Sequence, residues 1–296
     1  MTAFTAIDLS LLPTPDVVET LDYEAILAAL VSDFSARYPE HATALESDPA
    51  AKLLEVAAYR ETLLRARVND AARACMLASA TGADLDQLGA WWGVARREID
   101  PGDPLAVPPV PPTYEDDTAF RAQIQTSLES YTSAGSIGAY RWHALRADAT
   151  LLDVGISSPT PGVVLASVLG PAGTPTQDHI DLVTAALNAE EVRPLCDTVT
   201  VEPATLAAYD ITATLHMGMG PDAAEVLTAA TAAVEAYCDS MRLCGARVAV
   251  SAIMAALHQP GVQWVDLVAP TDDVVATATQ APWLGTLALT MAQDTA

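Results

Sequence analysis

The sequence predicts an α+β protein in two contrasting parts: a mainly helical N-terminal part with one long helix, then, past a Pro-rich linker, a mixed α+β C-terminal part. Three observations carry this. Helical periodicity runs without a breaker from residue 49 to residue 80; proline then occupies nearly every other position over 101–112; and beyond residue 150 the apolar pattern changes to short strand-like runs. The resulting organisation is a helical region at 1–100, a linker at 101–113, a helical segment at 114–149 and an α+β domain at 150–296.

The first helix is expected over 22–38, where Ile26, Leu27, Leu30, Val31 and Phe34 repeat at helical spacing ahead of Pro39. The second begins at Ser47-Asp48-Pro49, a capping residue followed by proline in the first turn, and extends to Thr81-Gly82. Roughly 32 residues at 1.5 Å each would span about 48 Å. A third helix is expected over 84–92. The segment PGDPLAVPPVPP at 101–112 reads as an extended, semi-rigid spacer. Helices follow at 115–131 and 136–147, separated by Ser133, Ala134 and Gly135. Strands are expected at 151–157 and 162–170 before a helix at 176–189, and again at 197–203 and 207–217 before a helix at 221–240. This order, strand, strand, helix, occurs twice and suggests a weak internal repeat. A short helix at 250–258 and a strand at 262–269 complete the pattern.

A chain of 296 residues with 51% hydrophobic residues builds a sizeable core. Its 14 basic and 38 acidic residues leave a net charge of −24, and Lys52 is the single lysine. Such a chain repels phosphate backbones and anionic lipid, so nucleic acid is not an expected partner. Membrane insertion is not expected either. The uncharged stretches 154–177, 248–265 and 274–293 are interrupted by Pro159, Pro161, Pro171 and Pro175, by Pro260-Gly261, and by Pro282 and Gly285. The first residues lack the basic start of a secretory signal and carry Asp8 and Asp16. Cys75, Cys196, Cys238 and Cys244 have no CxxC spacing and read as small core residues in a reducing compartment.

No motif assembles catalytic chemistry. Ala134-Gly135-Ser136-Ile137-Gly138 approaches a hydrolase nucleophile elbow, but helix rather than strand precedes it, which makes Ser136 an N-cap. Gly218-Met219-Gly220-Pro221 lacks the third glycine and the lysine of nucleotide loops. His41, His143, His179, His216 and His258 are scattered, and Asp84-Leu85-Asp86 and Asp272-Asp273 lack the remaining ligands of a calcium loop. No metal and no cofactor is expected. Cys238 and Cys244 are read as free thiols, and Trp91-Trp92 and Trp142 as core or interface residues.

The long helix is the informative element. At 100° per residue, Leu53, Val56, Leu63, Leu64 and Val68, with Ala57, Ala71 and Cys75, fall in an arc of about 140°. Arg60 and Arg67 lie inside it, seven residues apart on one line. Two readings are open: the arginine stems pack on the protein's own core while their heads reach water, or the arc faces a partner helix whose carboxylates pair with both and fix the register. On the second reading Leu53, Val56, Arg60, Leu63, Leu64, Arg67 and Val68 form a partner interface. Alanines at 50, 51, 57, 58, 66, 71, 72, 74 and 78 leave room for close neighbours on the other faces.

Several blocks in one order resemble the baseplate J-like proteins of contractile phage tails, above all the P2-like branch. They include DLSLLPTPDVVETLDYEAIL at 8–27, ALESDPAAKLLEVAAYRETLLRARVNDAARA at 44–74 and GADLDQLGAWWGVARR at 82–97. Further blocks are YEDDTAFRAQIQTSLESYTSAGSIGAYRWHALRADA, SPTPGVVLASVL, ALNAEEVRPLCDTVTVEPA and SAIMAALHQPGVQWVDLVAP. The resemblance implies a structural wedge subunit that pairs with itself within each wedge. Its helical part would join a bundle with other baseplate wedge proteins, and its C-terminal part would link wedges in a ring around the central hub and spike. It further implies a place in the tail baseplate of a virion or tail-like injection particle, assembled in the bacterial cytoplasm, and a rearrangement that triggers sheath contraction. The family has no catalytic residues to carry over. The competing reading is a serine hydrolase using Ser136 with a distant histidine.

Overall fold

The computed structural model describes residues 7–13, 15–40, 48–131, 135–218 and 222–293. The protein is α+β, as expected, and the chain divides into two compact units, one comprising residues 5–96 with 116–125 and the other residues 97–115 with 126–296.

In the helical unit, α1 (Tyr23–Arg37) starts at Asp22, whose carboxylate accepts from the Glu24 and Ala25 amides. Helix α2 (Pro49–Ala74) starts at Asp48, which caps Ala50 N–H at 2.8 Å; Ser47 lies outside the described residues. It is 26 residues long and ends before the expected stop at Thr81-Gly82. No glycine or proline ends it. The Ser79 hydroxyl takes the Arg73 carbonyl at 2.8 Å, and the Arg121 guanidinium takes the carbonyls of Leu77 and Ala80 at 2.7 and 2.8 Å. These side chains satisfy the carbonyls that another helical turn would have bonded. After α3 (Gly82–Trp91) comes α4 (Asp117–Thr126), and Phe120 of α4 is fully buried against Gly89, where a Cβ would stand 2.4 Å from its ring. Arg96 bonds both Asp86 and Asp117 and lies 4.8 Å over the Phe120 ring. The single helix expected over 115–131 is therefore shorter, with a 3-10 turn at Ser127–Tyr131.

In the α+β unit, β1 (Glu98–Asp100) pairs antiparallel with β2 (Thr113–Tyr114), and Asp103 bridges Val110. The proline-rich segment is thus a folded-back hairpin rather than an extended spacer. Helix α5 (Ile137–Ala147) follows. The first sheet has the order β3 (Asp153–Thr160), β4 (Val163–Leu169), β5 (Thr198–Pro203), antiparallel and then parallel, the parallel connection running through α6 (Gln177–Leu187). Tyr140 and Ala144 of α5, Val183 and Leu187 of α6, and Val154 and Val168 of the sheet share one core.

The second sheet centres on β6 (Thr205–Met217), flanked by β8 (Val262–Ala269) antiparallel and β10 (Gln280–Gln293) parallel. Between β6 and β8 run α7 (Ala223–Ser240), the short strand β7 (Arg247–Val248) and α8 (Val250–Leu257); β7 pairs with β9 (Val274–Val275). Strand β6 alternates: Ile211, Ala213, Leu215 and Met217 are buried with Val226, Val234, Ile253 and Leu257, while Asp210 and Thr212 are exposed. Strand β10 was not foreseen in the uncharged stretch 274–293. Because β5 completes the first sheet and β6 builds the second, the repeated strand, strand, helix order does not correspond to two copies of one sheet. Only two of the four cysteines meet the expectation of core residues. Cys238 is buried and Cys244 half-buried, whereas Cys75 and Cys196 are exposed; all are free thiols.

Candidate assembly interface

Helix α2 has two opposed faces. On one, Ala58 is fully buried, Asn69 is buried, and Leu54, Thr62 and Ala66 are partly covered. At 100° per residue these five span about 120°. Here α2 meets α1 and the segment preceding it: the Asn69 side-chain amide donates to the Glu19 carbonyl at 2.8 Å while its carbonyl accepts the Glu19 amide at 3.0 Å. One asparagine thus satisfies both backbone groups of residue 19, as a neighbouring strand would. Arg65 adds ion pairs to Glu19 and Glu61 at 2.9 and 2.6 Å, exposed enough to contribute little.

The opposite face carries the arc. Leu53 is 71% exposed and Leu64 68%, and Val56, Leu63 and Val68 are exposed as well. Arg60 and Arg67 stand exposed among them, and neither makes a side-chain hydrogen bond or ion pair with any described residue. Both arginines are exposed rather than covered by the described core, which goes against the first of the two readings. The physical reason is volume: alanine, threonine and asparagine let α1 approach closely on the other side, which leaves the larger side chains no partner within the unit.

The remaining motifs have structural roles. Ser136 caps α5, accepting the Ala139 amide at 3.1 Å, and donates to the Glu129 carboxylate at 3.1 Å. A Cβ on Gly138 would meet that carboxylate at 2.2 Å, and Gly135 has φ +65, so the glycines around Ser136 serve packing and turning. His179 completes a capping box with Thr176 and lies 3.6 Å from Asp148; His216 stacks on Trp264 with centroids 3.3 Å apart. His143 is held below its usual range by burial. His41, Met219, Gly220 and Pro221 lie outside the described residues. Asp273 accepts the Val250 amide at 2.8 Å and pairs with Arg247; the amide first and the guanidinium second depress its pKa. Asp86 is a partner of Arg96. Burial pushes the Cys244 thiol up to about 12, which keeps it unreactive. Among the described residues, no three histidines, cysteines or carboxylates could hold a metal, and no helix is long and apolar enough to cross a membrane.

Sequence reasoning missed Asn69, Arg121 and the buried pair of Glu115 with Arg97, 2.8 Å apart. A signal existed for the first: Asn69 lies on the line of Ala58, Thr62 and Ala66, opposite the leucines, where a polar residue within a helix interior needs a partner.

Three family models match successive parts of the chain. The Baseplate J-like N-terminal domain matches residues 46–103, which hold α2, α3 and β1. The Baseplate J-like central domain matches 132–203, through the first sheet, and the Baseplate J-like protein C-terminal domain matches 209–290, over the second. The chain is 45% identical to Baseplate protein J of Escherichia phage P2 over 284 residues, 93% of this chain and 94% of that protein. With all three domains in order and identity along nearly the whole length, the chain belongs to the baseplate J-like family.

Proposed function

We propose that this protein is a structural, non-enzymatic subunit of a tail baseplate, in a contractile phage or a tail-like injection particle, and that it acts as a wedge component. In this reading α2 enters a helical bundle with a second copy and other wedge proteins. The α+β unit links wedges in a ring around the hub and spike, and release of these contacts on host binding lets the wedge rearrange and trigger sheath contraction. The subunit is assembled in the bacterial cytoplasm and resides in the particle's baseplate.

The observation that carries the assembly role is the arc of Leu53, Val56, Leu63, Leu64 and Val68, exposed with two arginines among its apolar residues that pair with no described residue. An apolar stripe of this length on a soluble helix marks an interface, and its arginines suit carboxylates on the partner. Kinship with a phage baseplate protein along nearly the whole chain supports the same reading. Ser136, engaged as a helix cap beside a carboxylate, does not support a hydrolase.

The test is Leu64→Asp in the full-length protein co-expressed with the neighbouring tail proteins. The isolated variant should melt as the parent does, while its co-purification with the other wedge proteins is lost, because an unpaired charge in a dry interface abolishes most contacts. Normal co-purification, or a parent that stays a monomer beside those proteins, overturns the proposal. Stoichiometric labelling of Ser136 by a serine-reactive probe would instead establish the hydrolase.

A further inference from the structure

The two sheets of the α+β unit are joined along the chain by one residue, Ala204, between Pro203 at the end of β5 and Thr205 at the start of β6. A single residue has two soft dihedrals and does not by itself fix the angle between two sheets. A second connection is non-covalent. Residues 241–246, between α7 and β7, form a strap that reaches from the second sheet to the first.

On one side the strap is fastened to β10. The Arg242 guanidinium lies 4.4 Å from the centroid of the Trp283 ring, and the Gly245 amide donates to the Gln280 carbonyl at 2.9 Å. On the other side it meets β3 and β4: the Cys244 amide donates to the Asp153 carboxylate at 2.8 Å, and the Cys244 thiol lies 3.7 Å from the Ser167 carbonyl. Gly155 makes the seat. A Cβ there would stand 2.0 Å from the Ala278 carbonyl oxygen and 2.7 Å from the Cys244 Cβ.

Asp153 is 1% exposed, and its other oxygen is met by the guanidinium of Arg141 on α5, with Nε at 2.9 Å and Nη2 at 2.8 Å. A carboxylate accepts on both oxygens, so it satisfies a donor on each side, whereas an amide in its place would turn its NH2 against one of them. The two contacts are therefore coupled. A buried carboxylate keeps its charge only while the guanidinium pairs with it. If the half-buried Arg141 turns to water, Asp153 must follow it and release the Cys244 amide.

We propose that Arg141 and Asp153 form a latch between the two sheets. Closed, it clasps the strap to the first sheet and fixes the second sheet against it; open, it frees the strap and lets the second sheet turn about Ala204. This inference lies within the α+β unit and does not depend on the interface assigned to α2.

The experiment uses the cysteines as reporters in the full-length chain. Cys244 reports the latch, and Cys238, buried on α7 in the core of the second sheet, reports unfolding of that sheet. The protein is treated with N-ethylmaleimide and the labelling of each cysteine is followed by peptide mass. In the parent both should react far more slowly than the exposed Cys75 and Cys196. Asp153→Asn should speed labelling of Cys244 about tenfold or more and leave Cys238 unchanged. Adding Arg141→Gln should slow Cys244 again, because the glutamine oxygen can take the place of the Arg141 Nε and accept from the amide introduced at 153. Val154→Ala, at a buried neighbour, is the control for destabilisation alone and should lower the melting temperature without selecting Cys244. Should Asp153→Asn fail to fold, Arg141→Met, which leaves the carboxylate unpaired, is read in its place with the same expectation. A Cys244 as slow as in the parent, a Cys238 quickened alongside it, selective quickening by Val154→Ala, or a double variant no slower than Asp153→Asn overturns the proposal.

Discussion

In the helical unit α2 turns Leu53, Val56, Leu63, Leu64 and Val68 outward and packs on its neighbour through Ala58, Thr62, Ala66 and Asn69. In the α+β unit β6 turns Ile211, Leu215 and Met217 inward and leaves Asp210 and Thr212 outside. Both elements are amphipathic, and the difference lies in which side meets the rest of its own unit. Burial of large apolar side chains is the main source of stability, so β6 buries its apolar face in the core of its own unit, whereas α2 keeps apolar area in reserve.

This contrast breaks most directly at its two extremes. Leu215→Ala, at a fully buried position, should cost about 2–5 kcal/mol in urea unfolding, while Leu64→Ala should stay within about 0.5 kcal/mol. Equal costs would mean that α2 is buried in the isolated protein after all.

Asn69→Leu sharpens the account of the packed face. It removes both bonds to residue 19 and should cost about 1–3 kcal/mol, with faster hydrogen exchange at the Glu19 amide. Unchanged exchange there would show that other contacts hold the segment.

Acid should distinguish the units. Burial depresses His143 below 6.5, so between its folded value and 6.5 the unfolded chain binds the proton first; its contribution is full above 6.5 and lost as pH falls through that window. Asp117 in the helical unit is depressed below 3.8, first by its bond from Arg96 and then by the Gly82 amide, so its contribution is present above 3.8 and lost only below. Core amides around α5 should therefore lose protection as pH falls below 6.5, and His143→Gln should flatten that loss. The same slope in the variant would assign it to other groups.

The smallest effect is expected for Arg60→Ala with Arg67→Ala. Both side chains are exposed and pair with no described residue, so the stability of the isolated chain should change by no more than about 0.5 kcal/mol, while assembly should fail if the arc is the proposed interface. A variant that melts normally and still assembles normally removes the arginines from the interface.

Periodicity alone locates nearly every helix and the strands β3, β4, β5, β6 and β8, because amphipathic patterning is local and survives without knowledge of the partner. It also placed seven side chains on one face of α2, since their angles follow from sequence number. Caps were legible on the same ground: Asp48 before Pro49, Ser136 before α5. Three things were not. Strand β10 alternates only from Leu287 to Met291, after Pro282 and Gly285 interrupt its first half, and its pairing along β6 identifies it. The turn after α2 is held by Arg121, 41 to 44 residues away from the carbonyls it satisfies. The prolines of 104–112 restrict the backbone locally but do not set the chain's direction, which reverses in a hairpin that Arg97 and Glu115 close across 18 residues. Whether an apolar face lies inside or outside is likewise a question of which neighbour fits. The small side chains of α2, by admitting α1 on their own side, decided that the leucines and arginines face solvent.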